Sequence, residues 1–162
     1  MTEEVTYQEP ANVINKEIPL DTVITLVTKD QDQIKTKYGV VWICALINNM
    51  MENFDNYDNV VISLNTISTV ILEKILVYCN HYENKEENEV PQFSFEFDEF
   101  ETKYLEMDEE FIKEVVEAAH FLAASQLVNL LCKKIADIIR AKTPEEIEEI
   151  FAPIKKPEIE EE

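Results

Sequence analysis

The chain has 162 residues, of which 46% are hydrophobic, which is enough for one domain with an apolar core. It carries 34 acidic and 14 basic side chains, and the net charge of −20 repels phosphate backbones and anionic lipid. We therefore expect neither nucleic acid nor membrane among its partners. The acidity serves either solubility or attraction of a basic partner.

The residues that carry chemistry are sparse and scattered. A loop that cradles phosphate needs several glycines, and the chain has one, Gly39. His81 and His120 lie on separate predicted helices and have no Cys or Asp at ligand spacing. Acidic pairs occur throughout the chain, so no single pair indicates acid–base catalysis. We expect no enzyme activity, no cofactor and no metal site.

The cysteines and the start of the chain indicate a compartment. Cys44, Cys79 and Cys132 show no CxxC spacing and lie in apolar stretches that we predict to be helical. This pattern favours buried, free thiols in a reducing environment. No secretory signal and no run of 18 apolar residues is visible. We expect a cytoplasmic and/or nuclear protein.

The first half of the chain predicts two strands, a helix, a strand and a helix. Residues 1–21 are polar, contain two prolines and are interpreted as a flexible leader. The predicted strands are residues 23–28, 33–37 and 60–64. The predicted helices are residues 40–54, where apolar residues recur with a 3.6-residue period, and residues 69–81, which Ser68 caps. Residues 29–32 are polar, so the first two strands form a hairpin.

An acidic segment separates the two halves. Residues 83–92 are rich in glutamate and are predicted to be a flexible loop. Phe93, Phe95 and Phe97 then alternate with polar residues. This alternation indicates either a brief strand or a set of rings that hold the loop against the core.

Residues 108–151 predict three consecutive helices. Asp108 and Ser125 are the predicted N-caps of the first two. Thr143 precedes Pro144, and Glu146 completes a capping box for the third helix. Proline suits the first helical position because its missing N–H would have no intrahelical partner there.

The second and third of these helices carry more apolar surface than a small core requires. The second has one narrow polar stripe, so either it is buried on two sides or one side is left for another protein. The third is short and sets Ile147, Ile150 and Phe151 against four glutamates, so it has to dock on something to be stable.

These helices carry a family resemblance. The run KTPEEIEEIF resembles the KTPEEI segment of the S-phase kinase-associated protein family, the F-box adaptors of SCF-type ubiquitin ligases, and AAHFL resembles that family's AANYL. Phe100-Glu101, Tyr104-Leu105 and Met107-Asp108 stand where the family has W-D-x-x-F-L-x-V-D. The two patterns align without a gap from Phe100 to Phe151, and weaker similarity extends back to Val23.

The resemblance implies an α/β (α+β) fold, a BTB/POZ-type module with a C-terminal helical extension. It divides the chain into a flexible leader at 1–21, the BTB/POZ-like domain at 22–125, F-box-binding helices at 126–152 and an acidic tail at 153–162. It also implies an adaptor subunit of a cullin-RING E3 ligase, which bridges F-box substrate receptors to a cullin scaffold and performs no bond chemistry itself.

The F-box is a small helical motif, so the resemblance implies binding by burial of helix against helix. The candidate F-box residues lie on the last two helices: Val128, Cys132, Ile135, Ile139, Ile147, Ile150 and Phe151. Half of them could instead face the domain's own core, and for Ile135 and Ile139 both interpretations stay open.

The candidate cullin residues are His120 and Phe121, which stand at the family's Asn-Tyr. The amide and the phenol hydroxyl are lost, and Ala123 replaces the following Asp, so the expected cullin contact is weaker than the F-box contact. Phe121 could also be a core aromatic residue. Pro144 matches a proline that is hydroxylated and glycosylated in some protist relatives, which makes it a candidate modification site.

Family members continue past the KTPEEI helix into another helix, whereas this sequence ends in KKPEIEEE. We therefore expect a divergent member that lacks the usual last helix and has weakened or narrowed F-box binding. Two alternatives remain open: a structural partner of F-box proteins that works without a cullin, in a kinetochore or trafficking assembly, and a self-associating BTB protein.

Overall fold

The computed structural model describes residues 18–83 and 96–151, with only the backbone for residues 150 and 151. In chain order the described elements are strands β1 (Val23–Thr28) and β2 (Gln33–Lys37), helices α1 (Tyr38–Val41) and α2 (Ala45–Glu52), strand β3 (Val60–Leu64), and helices α3 (Thr69–His81), α4 (Glu99–Tyr104), α5 (Glu109–Phe121), α6 (Ser125–Arg140) and α7 (Pro144–Phe151). The predicted mixed α/β class with a helical C-terminal extension is confirmed.

The three strands form one sheet in the order β2-β1-β3. Strand β1 pairs antiparallel with β2, with Leu26 opposite Ile34, and parallel with β3, with Leu26 opposite Ile62. Side chains alternate between faces along each strand, so Leu26 and Ile62 enter the core and their neighbours face outward. The predicted hairpin and the predicted third strand are both confirmed.

The segment at 40–54, predicted as one helix, is two helices with a break at residues 42–44. Trp42 and Ile43 are fully buried in the break, and Cys44 is extended, with φ −87° and ψ 96°. Periodicity alone missed the break because both helices present apolar side chains to the same core. Asn48 supports the break, since its Nδ2 donates to the Trp42 carbonyl at 2.6 Å.

The packed part of the chain begins before the predicted domain start at residue 22. Ile18 is buried, and the Gly39 N–H donates to the Leu20 carbonyl at 2.8 Å. A Cβ at position 39 would lie 3.0 Å from the Leu20 oxygen. Gly39 therefore serves close approach of two backbones, and residues 18–21 do not belong to a flexible leader. Residues 1–17 lie outside the described residues.

Two of the predicted N-caps are wrong in detail. Ser125 is the first residue of α6, and Ala124 precedes it as an N-cap without a side-chain bond. Ser68 is the N-cap of α3 by position, but its side chain accepts no capping bond. The Thr69 N–H instead donates to Asp30 Oδ2 at 2.9 Å, so the β1–β2 turn caps this helix.

Helix α4 was not predicted. Asp98 and Glu101 form a reciprocal capping box at its start. The Glu101 N–H donates to Asp98 Oδ1 at 2.7 Å, and the Asp98 N–H donates to Glu101 Oε2 at 3.0 Å. Phe97, just before it, packs against the core, and the Lys133 ammonium lies 4.2 Å from its ring centroid. Phe93, Phe95 and residues 84–92 of the predicted loop lie outside the described residues.

The turn between α5 and α6 is a Schellman motif. The Ala124 N–H donates to the Ala119 carbonyl and the Ala123 N–H to the His120 carbonyl, both at 3.0 Å. Ala123 has φ 54°, a left-handed conformation that costs a residue with a Cβ about 1–2 kcal/mol. The next two carbonyls are used as well, because Leu122 and Ala123 accept the N–H groups of Leu46 and Ala45 at the start of α2.

Replacement of Ala123 by glycine is expected to stabilise the fold. Glycine adopts φ 54° without the Cβ penalty, and part of the gain is offset by its greater freedom when unfolded. We expect A123G to raise the free energy of unfolding by about 0.5–1 kcal/mol, seen as a higher Tm in calorimetry. The matched control is A141G, because Ala141 ends α6 with φ −83°. A Tm of A123G at or below that of A141G would contradict this explanation.

Candidate functional site

The apolar side chains of helix α6 become more exposed from its N-terminal half to its C-terminal half. Leu127 and Leu131 in its first half are fully buried, whereas Ile135, Ile138 and Ile139 in its second half are only half-buried. The first half packs into the core beside α5, and the second half extends past it. Of the two alternatives left open by the sequence, the structure supports the one in which an apolar side of this helix is left uncovered by the described residues.

A groove of about 320 Å³ lies between α5 and α6, and we call it the α5–α6 groove. Its apolar lining comes from both helices, and its rim is charged. The lining residues are Glu109, Ile112, Lys113, Val116, Glu117, Ile135, Ile138 and Ile139. Such a concave apolar strip with a polar rim suits an amphipathic helix or a helical motif.

The predicted F-box residues fall into three groups. Ile135 and Ile139 line the groove, and Ile147 on α7 is half-buried. Val128 packs partly against the core, while Cys132 is exposed, so the prediction that all three cysteines are buried is wrong for Cys132. The side chains of Ile150 and Phe151 lie outside the described residues.

Sequence reasoning missed Ile112, Val116 and Ile138 as groove residues. Ile112 is buried and Val116 half-buried on α5, and both face the second half of α6. The signal was present: Ile112 and Val116 are four residues apart, on one face of a helix. What the sequence did not contain was the pairing of that face with Ile135, Ile138 and Ile139.

Helix α7 begins as predicted. The Thr143 N–H donates to Glu146 Oε2 at 2.8 Å, and the Glu146 N–H donates to Thr143 Oγ1 at 3.3 Å. Pro144 is the first helical residue and is exposed, and its modification stays a prediction. The capping bonds from Thr143 lower the pKa of Glu146.

A charged contact joins the far end of α6 to the start of α5. The Lys142 ammonium lies 2.8 Å from Glu109 Oε1, and this bond raises the pKa of Lys142. Asp108, directly before Glu109, caps α5 by accepting the Phe111 N–H at 2.8 Å, as predicted. The α5–α6 pair is therefore linked at its open end by the Lys142–Glu109 contact and at its closed end by the Ala123 turn.

The second surface lies at the C-terminal end of α5. Phe121 is 47% exposed and His120 is exposed, so the core-aromatic interpretation of Phe121 does not hold in the described part of the chain. Phe121 borders a cavity of about 330 Å³, and we call this region the Phe121 surface. Its lining residues are Lys29, Thr66, Ile67, Ser68, Ile71, Glu114, Glu117, Ala118 and Phe121.

The described residues also bear on metal binding, membrane insertion and thiol chemistry. They contain no group of three or more His, Cys, Asp or Glu side chains placed to hold a metal ion. Among them, no helix has the length and apolar character to cross a membrane. A hydrogen bond with Cys44 and complete burial raise the pKa of Cys79, which keeps that thiol protonated.

The capping box of α7 is expected to open in acid. The folded-state pKa of Glu146 lies below the ordinary glutamate value of about 4.3, so the charged form is favoured by folding. This contribution is complete above the unfolded pKa and is lost as the pH falls through the folded pKa. An NMR titration should show the Thr143 amide signal moving in that range. In E146Q, which keeps an acceptor oxygen without the charge, the signal should not titrate; an unchanged midpoint would contradict the assignment.

Comparison with known proteins identifies relatives over most of the chain. A family model described as "Skp1 family, tetramerisation domain" matches residues 22–84, and one described as "Skp1 family, dimerisation domain" matches residues 125–162. The second match extends over residues 152–162, which lie outside the described residues, so the predicted lack of a last helix stays a prediction.

Three similar proteins come from two fungi and a social amoeba. "Suppressor of kinetochore protein 1" of Schizosaccharomyces pombe is 31% identical over 79% of this chain and 83% of its own length. "SCF ubiquitin ligase complex protein SKP1a" of Dictyostelium discoideum is 30% identical over 80% and 83%. "E3 ubiquitin ligase complex SCF subunit sconC" of Talaromyces stipitatus is 29% identical over 79% and 82%. Together with the two family matches, this similarity along the α/β module and the paired helices shows that the chain belongs to the Skp1 family.

Proposed function

We propose that this protein is an adaptor subunit of an SCF-type cullin-RING E3 ubiquitin ligase, which joins F-box substrate receptors to a cullin scaffold. Two relatives are named as subunits of SCF ubiquitin ligase complexes. The observation that carries the proposal is that one chain presents two surfaces suited to polypeptides, the α5–α6 groove and the Phe121 surface, which adjoin at Glu117 of α5.

The two surfaces share one rigid element. Ile112 and Val116 of α5 line the groove, and Phe121 of the same helix borders the second surface. At 1.5 Å per residue, Ile112 and Phe121 are about 14 Å apart along the helix axis. An adaptor has to hold two partners at a constant separation, and a continuous helix packed on a core meets that requirement.

In this proposal the F-box lies in the α5–α6 groove. Ile135 and Ile139 provide apolar contact, with Ile138 beside them, and Ile147 extends the surface onto α7. The side chains of Ile150 and Phe151 are included by the resemblance alone. Binding of a helical motif would bury the exposed halves of these isoleucines, which is a favourable change because apolar area leaves water.

The cullin lies at the Phe121 surface. A half-exposed phenylalanine beside a cavity is a typical anchor of a protein interface, since aromatic residues dominate the binding energy of such contacts. The exposed His120 completes the site. By the same proposal the protein works in the cytoplasm and/or nucleus, has no cofactor and is not an enzyme.

Truncation of Ile139 to alanine is expected to weaken F-box binding about four- to twelvefold. Full burial of such a side chain contributes roughly 1.5–3 kcal/mol, and Ile139 is already half-buried, so about half of that remains to be gained on binding. Isothermal titration with a recombinant F-box domain measures the change. The control is V77A, because Val77 is 52% exposed on α3 and lines neither surface. Equal affinities of I139A and V77A would remove the groove from the proposal.

Truncation of Phe121 to alanine is expected to weaken cullin binding at least tenfold and to leave F-box affinity within twofold. The reason is that the exposed part of the ring is available to a partner at the end of α5, away from the α6 half of the groove. Co-purification with a cullin N-terminal domain, with V77A alongside, gives the measurement. If the unaltered chain captures F-box proteins but no cullin, the cullin-independent alternative replaces this half of the proposal.

A further inference from the structure

Strand β3 forms one edge of the sheet. In the described residues it pairs only with β1, and its one backbone bond outside that ladder joins the Leu64 carbonyl to the Ile67 N–H at 3.1 Å. In a sheet, alternate residues of an edge strand direct their N–H and C=O groups away from the neighbouring strand. The outer side of β3 therefore presents a row of backbone donors and acceptors that another extended segment can pair with.

The two edges of the sheet differ in their protection. Strand β2, at the opposite edge, carries Lys35 and Lys37 in the sequence QIKTK, and edge lysines oppose pairing with a further strand. Strand β3 has the sequence VVISL, without a charged residue or a proline. Its outward-facing Val61 is 54% exposed. The β2 edge thus carries lysines that oppose pairing with a further strand, whereas the β3 edge carries no such charge.

A groove of about 410 Å³ lies beside β3 and is lined by residues of α2 and of the turn after it. Met50, Asn53 and Phe54, from the end of α2 and the turn after it, face Val61, Ile62 and Ser63 across this groove. None of these residues lines the α5–α6 groove or the Phe121 surface. An incoming strand could therefore pair its backbone with β3 and place an alternate apolar side chain against Met50 and Phe54.

The charges around this edge select the chemistry of the partner. From Tyr38 to Glu73 the chain contains no lysine or arginine. Glu52 and Asp55, on the segment that leads into β3, are exposed, and the exposed Asp58 lines a cavity together with Lys35 of β2. A second copy of a chain with net charge −20 would be repelled, whereas an extended segment that carries lysine or arginine between apolar residues would be attracted.

We propose that the outer edge of β3 is a third docking site, which binds an extended basic–apolar segment of another protein by strand addition. The main-chain bonds give affinity, the Met50–Phe54 groove accepts an apolar side chain, and the acidic segment before β3 favours positive charges on the ligand. The site is separate from the two surfaces of the proposed adaptor function, so it could be occupied together with them.

The test uses the full chain and an end-capped probe peptide of about eight residues with alternating lysine and valine. NMR should show chemical-shift changes at residues 50–54 and 60–64, and slower amide exchange in β3 on binding. The variant V61K places a guarding positive charge on the edge and should weaken binding at least tenfold. Its control, V77K, makes the same change at Val77 on α3, which is 52% exposed, and should stay within twofold of the unaltered chain.

Four results would overturn the proposal. The first is no shift change in β3 with the peptide, and the second is equal weakening by V61K and V77K. The third is binding of a glutamate–valine peptide as tight as that of the lysine–valine peptide. The fourth is slow exchange of the outer β3 amides in the absence of peptide, which means that the edge is already paired. A doubled mass in light scattering would then identify the occupant as a second copy of the chain, and a monomer mass would identify it as another part of the same chain.

Discussion

The structure depends on the contact between the start of α2 and the turn that ends α5. Helix α2 has no side-chain cap, so the N–H groups of Ala45 and Leu46 need acceptors from elsewhere. They find them in the Ala123 and Leu122 carbonyls, at 3.4 and 3.1 Å. Those carbonyls are in reach because Ala123 adopts a left-handed conformation. A local backbone feature thus joins the sheet-bearing module to the C-terminal helices, and Phe121 is held directly beside the joint.

A second constraint is the limited depth of the core. The sheet and α1 to α3 supply enough apolar surface to cover α5 and the first half of α6, where Leu127 and Leu131 are fully buried. The second half of α6 carries three isoleucines among four charged residues, and no described element covers them fully. Ile135, Ile138 and Ile139 therefore remain half-exposed. The groove arises because the helix is longer than the core that supports it.

Much of the architecture could be predicted from the sequence, because its signals are local. The β1–β2 hairpin, strand β3 and the Thr143–Glu146 capping box each follow from residues within a few positions of one another. The break between α1 and α2 was not predicted, because the acceptors that satisfy the first N–H groups of α2 are the Leu122 and Ala123 carbonyls, nearly eighty residues away. The cap of α3 was also not predicted, because the carboxylate of the distant Asp30, and not the adjacent Ser68, accepts the first N–H of the helix.

For the candidate site, the sequence predicted a binding role for α6 but did not predict which face of α5 lines the groove with it. Ile135 and Ile139 were predicted with two open interpretations, and only the position of α6 relative to the core decides between them. Ile112 and Val116 were missed because their helix reads as an ordinary amphipathic element. Cys132 was assigned to the interior on residue type alone, while its exposure follows from the side of α6 on which it lies.

The linkage of the α5–α6 pair at both ends has a consequence for how a ligand is received. The Ala123 turn joins the helices at one end, and the Lys142–Glu109 ion pair bridges them at the other. Both walls are helices that are already formed without a ligand, so less backbone entropy is lost on this side of the interface than if the helices folded on binding. Association at the groove should resemble the docking of a preformed receptor, with the entropic cost of ordering borne mainly by the incoming chain.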